Sequence, residues 1–268
     1  MNAVEAIILG AIQGATEFLP ISSSGHLVLA EHFLGLSETP LAFDVTLHLG
    51  TLLSVLTFFW RDWLEMAQSL RPGSNRHFDR KLLLLLILGT IPAGILGLLF
   101  EDVISQVLRS PWVVVCTLSA VAFLLVAGER LASHAREMAT IGWREALLIG
   151  TAQAVAIIPG VSRSGITMST ALILGFERTA AARFSFLLSS PIIAAAGLYE
   201  ALGLWKGGFP GFETSFVWGF GSAAVSGYFV ISFLMRYLVR HTFYPFVWYR
   251  LLLAGLVAAI LVLNPLET

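Results

Sequence analysis

Read for hydropathy alone, the chain divides into long apolar runs separated by short polar stretches. Six runs, at about 41–60, 82–100, 111–128, 183–204, 215–235 and 247–263, carry few charges. A hydrocarbon core of about 30 Å takes about 20 helical residues at about 1.5 Å rise each. Lipid offers the backbone no hydrogen-bond partners, so each run is read as a transmembrane helix. The runs are continuous and do not alternate over about 10 residues, which argues against a transmembrane β-barrel. Pro92 and Pro191 interrupt two of them and predict kinks.

Two further regions follow another pattern. Residues 5–35 and 145–175 are apolar at both ends and polar in the middle. In each, a run too short to cross leads into a Pro/Ser/Gly-rich turn and then a second short run. Broken helix at membrane depth is tolerated only where protein buries it or it lines a wet cavity, so both regions read as re-entrant helix–loop–helix hairpins. The hairpins also repeat one another: Glu5/Glu145, Gly10/Gly150, Gln13/Gln153, Ser22/Ser162, Ser24/Ser164, Gly25/Gly165 and Gly35/Gly175 all stand 140 positions apart. The expectation is an all-α polytopic membrane protein with one integral domain over 1–268. Six transmembrane helices and the two hairpins form an inverted-topology repeat of residues 1–140 and 141–268. An odd number of crossings between the hairpins makes them enter from opposite faces, the plan in which broken helices meet near the midplane around a binding site.

Composition agrees with a membrane setting. Of the 268 residues, 57% are hydrophobic and 12% charged, with a net charge of −1; a soluble domain carries about 25% charged residues. The missing basic surface excludes a nucleic-acid partner. One cysteine cannot build a disulfide scaffold, and Cys116, mid-span, reads as a small apolar filler. Met1 leads into Glu5 and a short apolar run with no basic segment or small-residue cleavage site, so a cleavable signal peptide is not expected. Charge sets the orientation. Arg61, Arg71, Arg76, Arg80, Lys81, Arg130, Arg136, Arg144, Arg178, Arg183, Arg236 and Arg240 fall on one side, against Arg109, Lys206 and Arg250 (taken to lie near a helix end) on the other. The richer side is expected to be cytoplasmic, which puts both termini and the first hairpin outside. Trp60, Trp63 and Trp205 read as interfacial belt residues, and Glu31 and His32 as caps of the outgoing half-helix.

Ionisable groups at membrane depth are costly and point to a functional site. The first hairpin gathers Gln13, Glu17, Ser22, Ser23, Ser24 and His26; Gln13 and Glu17 share a helical face pointing at the Pro20–Gly25 turn. The second turn, PGVSRSG, offers Ser162, Arg163 and Ser164, with Arg163 aligned to Ser23. Arginine presents a planar fork suited to phosphate oxygens. Serine hydroxyls and backbone N–H groups at Gly-flanked turns leading into helix N-termini bind anions. A carboxylate and an imidazole add acid–base groups, and the carboxylate can also ligate a metal. The set suits a phosphorylated substrate whose apolar part stays in lipid. Plainer roles stand beside this one: serine caps, a His26 bond to a carbonyl, an Arg163–Glu17 pair that only neutralises charge. Asp44 and His48, four apart on the first span, read as a satisfied polar pair that borders the site at most.

QGATEFLPISSSGH at 13–26 and PGVSRSG at 159–165 resemble the two signature motifs of the undecaprenyl-pyrophosphate phosphatase family, also called bacitracin-resistance proteins. Length, motif spacing and six-span layout match as well. The resemblance implies a bacterial inner-membrane hydrolase that removes the terminal phosphate of undecaprenyl diphosphate and faces the periplasm. That step recycles the carrier lipid for peptidoglycan and envelope-polymer synthesis and confers bacitracin resistance. A divalent cation, Mg2+ or Ca2+, supports catalysis in the family. Carried over by motif, Glu17 is the essential acid, Ser23 the proposed nucleophile (direct attack by water, with Ser23 only binding phosphate, is the other route), His26 the proton-transfer histidine and Arg163 the phosphate-binding arginine. Ser22, Ser24, Gly25, Ser162, Ser164 and Gly165 complete the phosphate cradle. Gln13 stands where many members have Glu, leaving Glu17 as the one anionic metal ligand beside it. Another lipid-phosphatase superfamily also has Ser-Gly-His but needs a His six residues after its Ser-Arg, where this chain has Ser169. A polyprenyl-phosphate transporter using the same inverted-repeat site is the alternative function, and the sequence leaves the oligomeric state open, a homodimer included.

Overall fold

A computed structural model describes residues 1–27, 41–107, 110–207 and 214–263. They are mostly helical, and apart from a helix at Trp60–Ser69 the described helices overlap the runs that the hydropathy pattern marks. Helix α1 (Ala3–Phe18) begins on a capping box: the Asn2 side chain accepts from the Glu5 N–H at 2.9 Å while the Glu5 carboxylate accepts from the Asn2 N–H at 3.0 Å. It ends as Leu19 turns extended, the conformation that the following Pro20 imposes on its predecessor. The chain turns through Ser22 and re-enters helix at 23–27.

Next come α2 (Leu41–Phe58), α3 (Trp60–Ser69), α4 (His77–Val107), α5 (Pro111–Leu131), α6 (Trp143–Val155), α7 (Arg163–Ile173), α8 (Arg178–Gly207), α9 (Thr214–Tyr237) and α10 (Tyr244–Leu263). Five of these, α4, α5, α8, α9 and α10, are long and apolar enough to cross a membrane, and α2 with α3 makes a sixth, bent by 74°. The protein is therefore an all-α multi-pass membrane protein. The bend corrects the expected span at 41–60 and the loop expected after it. The helix breaks at Phe59, and α3 runs on with Trp60 and Leu64 outward and Met66 and Ser69 buried. An Asp62–Arg183 ion pair ties α3 to the start of α8. Pro92 and Pro191 lie inside α4 and α8, which continue through them as single helices. Just past both prolines an apolar cleft of about 380 Å³ opens between Ala93–Leu98 and Ile192–Tyr199.

The hairpin helices pack crosswise. Helix α1 lies on α9 and α6 on α4. Both contacts are glycine-to-backbone: a Cβ on Gly10 would sit 2.4 Å from the Gly219 carbonyl oxygen, and one on Gly150 would sit 2.1 Å from that of Gly89. Only hydrogen at these positions lets the backbones approach. Helix α5 packs on α7 and α10. The main core centres on the first half of α8, where Phe186 meets Phe18 of α1 and Phe59 at the α2–α3 break, and extends onto α4–α7, α9 and α10.

Three expectations need correcting. Cys116 is exposed on the outer face of α5 instead of filling the interior. Trp63 packs against the core with its Nε1 buried, so Trp60 is the one of that pair that faces outward. Arg250 is not at a helix end: it lies in the body of α10 and is 0% exposed. Glu31 and His32, with the rest of the first hairpin beyond residue 27, lie outside the described residues, as does the side chain of Trp205.

Candidate active site

The site is centred on the Glu17 carboxylate, at the buried end of α1, where the helix stops against Pro20 and is 7% exposed. Gln13, one turn earlier, donates through Nε2 to Glu17 Oε2 at 3.1 Å, as their four-residue spacing predicts. Past the turn, Ser23 Oγ donates to the same oxygen at 2.6 Å. From the second hairpin, Arg163 brings Nη2 to 3.6 Å from Glu17 Oε1. That separation is longer than a hydrogen bond. The guanidinium therefore balances the carboxylate without being spent on it, and its Nη1 is buried with no partner. A narrow crevice of about 10 Å³, room for about one water, lined by Glu17, Phe18, Arg163, Ser164, Ser185, Phe186 and Ser189, lies beside the pair. The two hairpins therefore bring Glu17, Ser23 and Arg163 together.

The remaining serines mainly hold the turns. Ser22 Oγ accepts from the Gly25 N–H at 3.3 Å, and Ser162 Oγ from the Gly165 N–H at 3.1 Å. Ser22 and Ser162 are buried at φ 78° and 72°, a region that L-residues rarely adopt. Ser24 and Ser164 join the hairpins: the Gly160 N–H reaches Ser24 Oγ at 3.4 Å, and Ser164 Oγ donates to the Leu19 carbonyl at 2.9 Å. Behind Arg163, Thr167 Oγ1 donates to its carbonyl at 2.7 Å and meets Ser185 Oγ at 2.5 Å. These bonds fix the first turn of α7 and the arginine it carries.

His26 faces elsewhere. Its Nδ1 lies 2.6 Å from the Ser22 carbonyl and its Nε2 2.6 Å from the Tyr249 hydroxyl. The carbonyl bond considered for it is present, and the hydroxyl of Ser23 goes to Glu17 instead. His48, read as half of a polar pair with Asp44, does bond the Asp44 carbonyl at 2.9 Å, but its Nε2 also lies 3.9 Å from Glu17 Oε2. It forms a wall of the site.

A cation is tested against the donors present. Among the described residues, no group of three or more His, Cys, Asp or Glu side chains could hold a metal. One observation fits a smaller oxygen site: Gln13 Oε1 is fully buried beside Glu17 with no hydrogen-bond partner. An amide oxygen and a carboxylate suit a hard cation that draws its other ligands from substrate phosphates.

A family model described as bacitracin resistance protein BacA matches residues 6–256 of this geometry's chain. The chain belongs to that family. The match to BacA spans both hairpins and all the crossings between them. At 45% identity over 272 residues, 98% of this chain aligns with the whole of a protein named undecaprenyl-diphosphatase from Rubrobacter xylanophilus. Proteins of the same name from Geotalea daltonii and Desulforudis audaxviator are each 45% identical, over 257 and 264 residues, covering 94% and 98% of this chain and 95% and 100% of their own.

Arg250 and Tyr249, from α10, were missed as part of this BacA site. A signal for Arg250 was present, since it is a charge inside an apolar run and such charges are expensive there. Tyr249 gives none, because a tyrosine in a span is ordinary. Its contact with His26 joins residues 223 apart in sequence.

Proposed function

We propose that the protein is a membrane lipid phosphatase that hydrolyses undecaprenyl diphosphate to undecaprenyl phosphate and inorganic phosphate. The observation that carries this reading is the Ser23–Glu17 hydrogen bond of 2.6 Å, with Arg163 3.6 Å from the other carboxylate oxygen. A hydroxyl bonded to a carboxylate and facing a guanidinium is a nucleophile, a base and an anion binder in one place. Carriage of a phosphate head group needs the cation but has no use for the nucleophile and base.

In this mechanism the terminal phosphate enters beside Arg163, whose fork binds its oxygens and stabilises charge as the phosphoryl group transfers. Ser23 Oγ attacks the terminal phosphorus while Glu17 takes the hydroxyl proton. The bond from that phosphorus to the bridging oxygen breaks, and undecaprenyl phosphate leaves with the electron pair. Water then attacks the phosphoserine, passing a proton back through Glu17, and releases inorganic phosphate. His26, on the same turn, passes a proton taken up from water at Nε2 to the leaving oxygen once substrate draws it from Tyr249. A divalent cation, Mg2+ or Ca2+, would be held by Glu17, Gln13 Oε1 and the substrate phosphates, and would supply Lewis-acid neutralisation there. Ser22, Ser24, Ser162 and Ser164, with Gly25 and Gly165, serve the cradle by holding the two turns whose N–H groups and side chains surround the head group.

The halves 1–140 and 141–268 form an inverted repeat in this reading. Its support is the crosswise glycine contacts and the matched turns of the two hairpins. The protein sits in the bacterial inner membrane with the first hairpin and both termini on the periplasmic side. The arginine-rich ends of α3, α4, α6 and α8 support that orientation.

The test is phosphate release from undecaprenyl diphosphate by purified protein in detergent, where no second compartment exists. Wild type turns over, Glu17→Gln and Arg163→Ala do not, and rapid quench traps a phosphopeptide containing Ser23. Absence of phosphate release from wild type rules out the hydrolase. Full turnover by Ser23→Ala rules out the covalent route.

A further inference from the structure

Arg250 is the largest fully buried side chain among the described residues, and its five hydrogen-bond partners are all backbone carbonyls. Nε donates to Leu118 at 3.0 Å and Nη1 to Pro20 at 3.1 Å; Nη2 reaches Thr117, Gly160 and Val161 at 3.3, 3.0 and 3.2 Å. Pro20 belongs to the first hairpin turn, Gly160 and Val161 to the second, and Thr117 and Leu118 to α5. A turn inside a bilayer strands carbonyls that water would otherwise satisfy. One guanidinium satisfies both turns at once and fastens each to the other. Burying an arginine among neutral dipoles is costly, and an apolar residue would fill the same space without that cost. The charge therefore serves the placement of the turns.

The neighbouring residue reaches the site. The Ser22 carbonyl can only accept, so His26 Nδ1 carries a proton and Nε2 is the nitrogen left to exchange one. Tyr249 covers that nitrogen at 2.6 Å, with its ring stacked on the imidazole at 5.6 Å and 10° between planes. We propose that Tyr249 and Arg250 are positioning residues for the hydrolytic site. Arg250 holds the two hairpin turns in register so that Ser23 and Arg163 face one another, and Tyr249 holds the imidazole of His26 with Nε2 presented until substrate takes its place. This rests on the hydrolytic reading above.

Tyr249→Phe keeps the ring and removes the hydroxyl. In purified protein it lowers kcat about tenfold with KM within about twofold. It also speeds carbethoxylation of His26 by diethyl pyrocarbonate, followed at that peptide by mass spectrometry without substrate. Tyr228→Phe, on α9, matches wild type in each measurement. Arg250→Lys keeps a charge but cannot span five carbonyls, and a misplacement of the turns lowers kcat about 100-fold. A Tyr249→Phe protein with the kcat of wild type and unchanged His26 reactivity overturns the Tyr249 role, and an Arg250→Lys protein with wild-type kcat overturns the Arg250 role. If wild type itself releases no phosphate, the hydrolytic reading fails instead, and the His26 reactivity measurement still tests the Tyr249 contact.

Discussion

In the first hairpin Ser22 sits at φ 78°, its Oγ 3.3 Å from both the Gly25 N–H and Ser24 Oγ; in the second, Ser162 sits at φ 72°, its Oγ 3.1 Å from the Gly165 N–H and 3.2 Å from Ser164 Oγ. Both hairpin helices start on a carboxylate bonded to a backbone N–H three residues back, Glu5 to Asn2 and Glu145 to Gly142, each at 3.0 Å. The helix starts and the serine turns match, although α1 runs on to Phe18 while α6 stops at Val155. The side chains that carry chemistry do not. Where the first hairpin has Glu17, Ser23 and His26, the second has Ile157, Arg163 and Ile166. What the backbone needs in order to turn inside a membrane persists in both copies, whereas the reactive groups are divided. One hairpin supplies the hydrogen-bonded Ser23–Glu17 pair, the other the guanidinium of Arg163 beside it.

The comparison breaks first, and by the largest effect, at the reactive positions. Glu17→Gln lowers phosphate release by about 1,000-fold or more, because Ser23 loses its base. Ile157→Val at the aligned position leaves release within about twofold. Comparable losses at both would mean the hairpins share the chemistry after all. Next, Arg163→Ala costs about 100-fold in kcat, and Arg163→Lys regains only part of it, since a point charge cannot grip two phosphate oxygens in one plane. Phosphate-release kinetics in detergent read both effects.

Stability measurements sharpen the shared half. Gly10→Ala and Gly150→Ala each drive a methyl into a facing carbonyl oxygen. Each destabilises by about 1–3 kcal/mol, and the two match within error in thermal unfolding. Ser22→Ala and Ser162→Ala each remove one cap, at about 1 kcal/mol. A large cost at one and none at the other would show that the two turns are held differently. The smallest effect sits at the mouth of the second hairpin. The Arg136 guanidinium, bonded to Glu145 at 2.9 Å, holds that carboxyl below its ordinary value. A depressed carboxyl stabilises the fold while it is ionised and loses that contribution as pH falls through its folded value. The excess melting temperature of wild type over Glu145→Gln is therefore present at neutral pH and fades as the solution is acidified below the carboxylate range, about pH 4.

Much of the molecule was legible along the chain. The spans followed from uninterrupted apolar length, and the turns after α1 and α6 from Pro/Ser/Gly clusters that end apolar runs too short to cross. The Gln13–Glu17 pair was legible because four residues is one helical turn. The break at Phe59 was not, since Phe59 and Trp60 are as apolar as the span they end and only the packing of α3 against α4 and Arg183 redirects the chain. The inward face of Trp63 depends on the same bend.

The sequence by itself determined that the chain lives in a bilayer, which stretches are long and apolar enough to cross it, and which two segments break into a Pro/Ser/Gly turn, because hydrophobic length and backbone hydrogen bonding are local demands. It also singled out Glu17 and Arg163, which the fold brings within 3.6 Å of one another, since charge in an apolar setting stands out without any structure. Only the tertiary structure decided which of them meet: that Ser23 bonds Glu17 while His26 turns to Tyr249, that His48 borders the carboxylate, and that a single arginine on α10 binds both turns. Those pairings join groups as many as 230 residues apart. The distances between them are fixed by how helices cross, which no local pattern records.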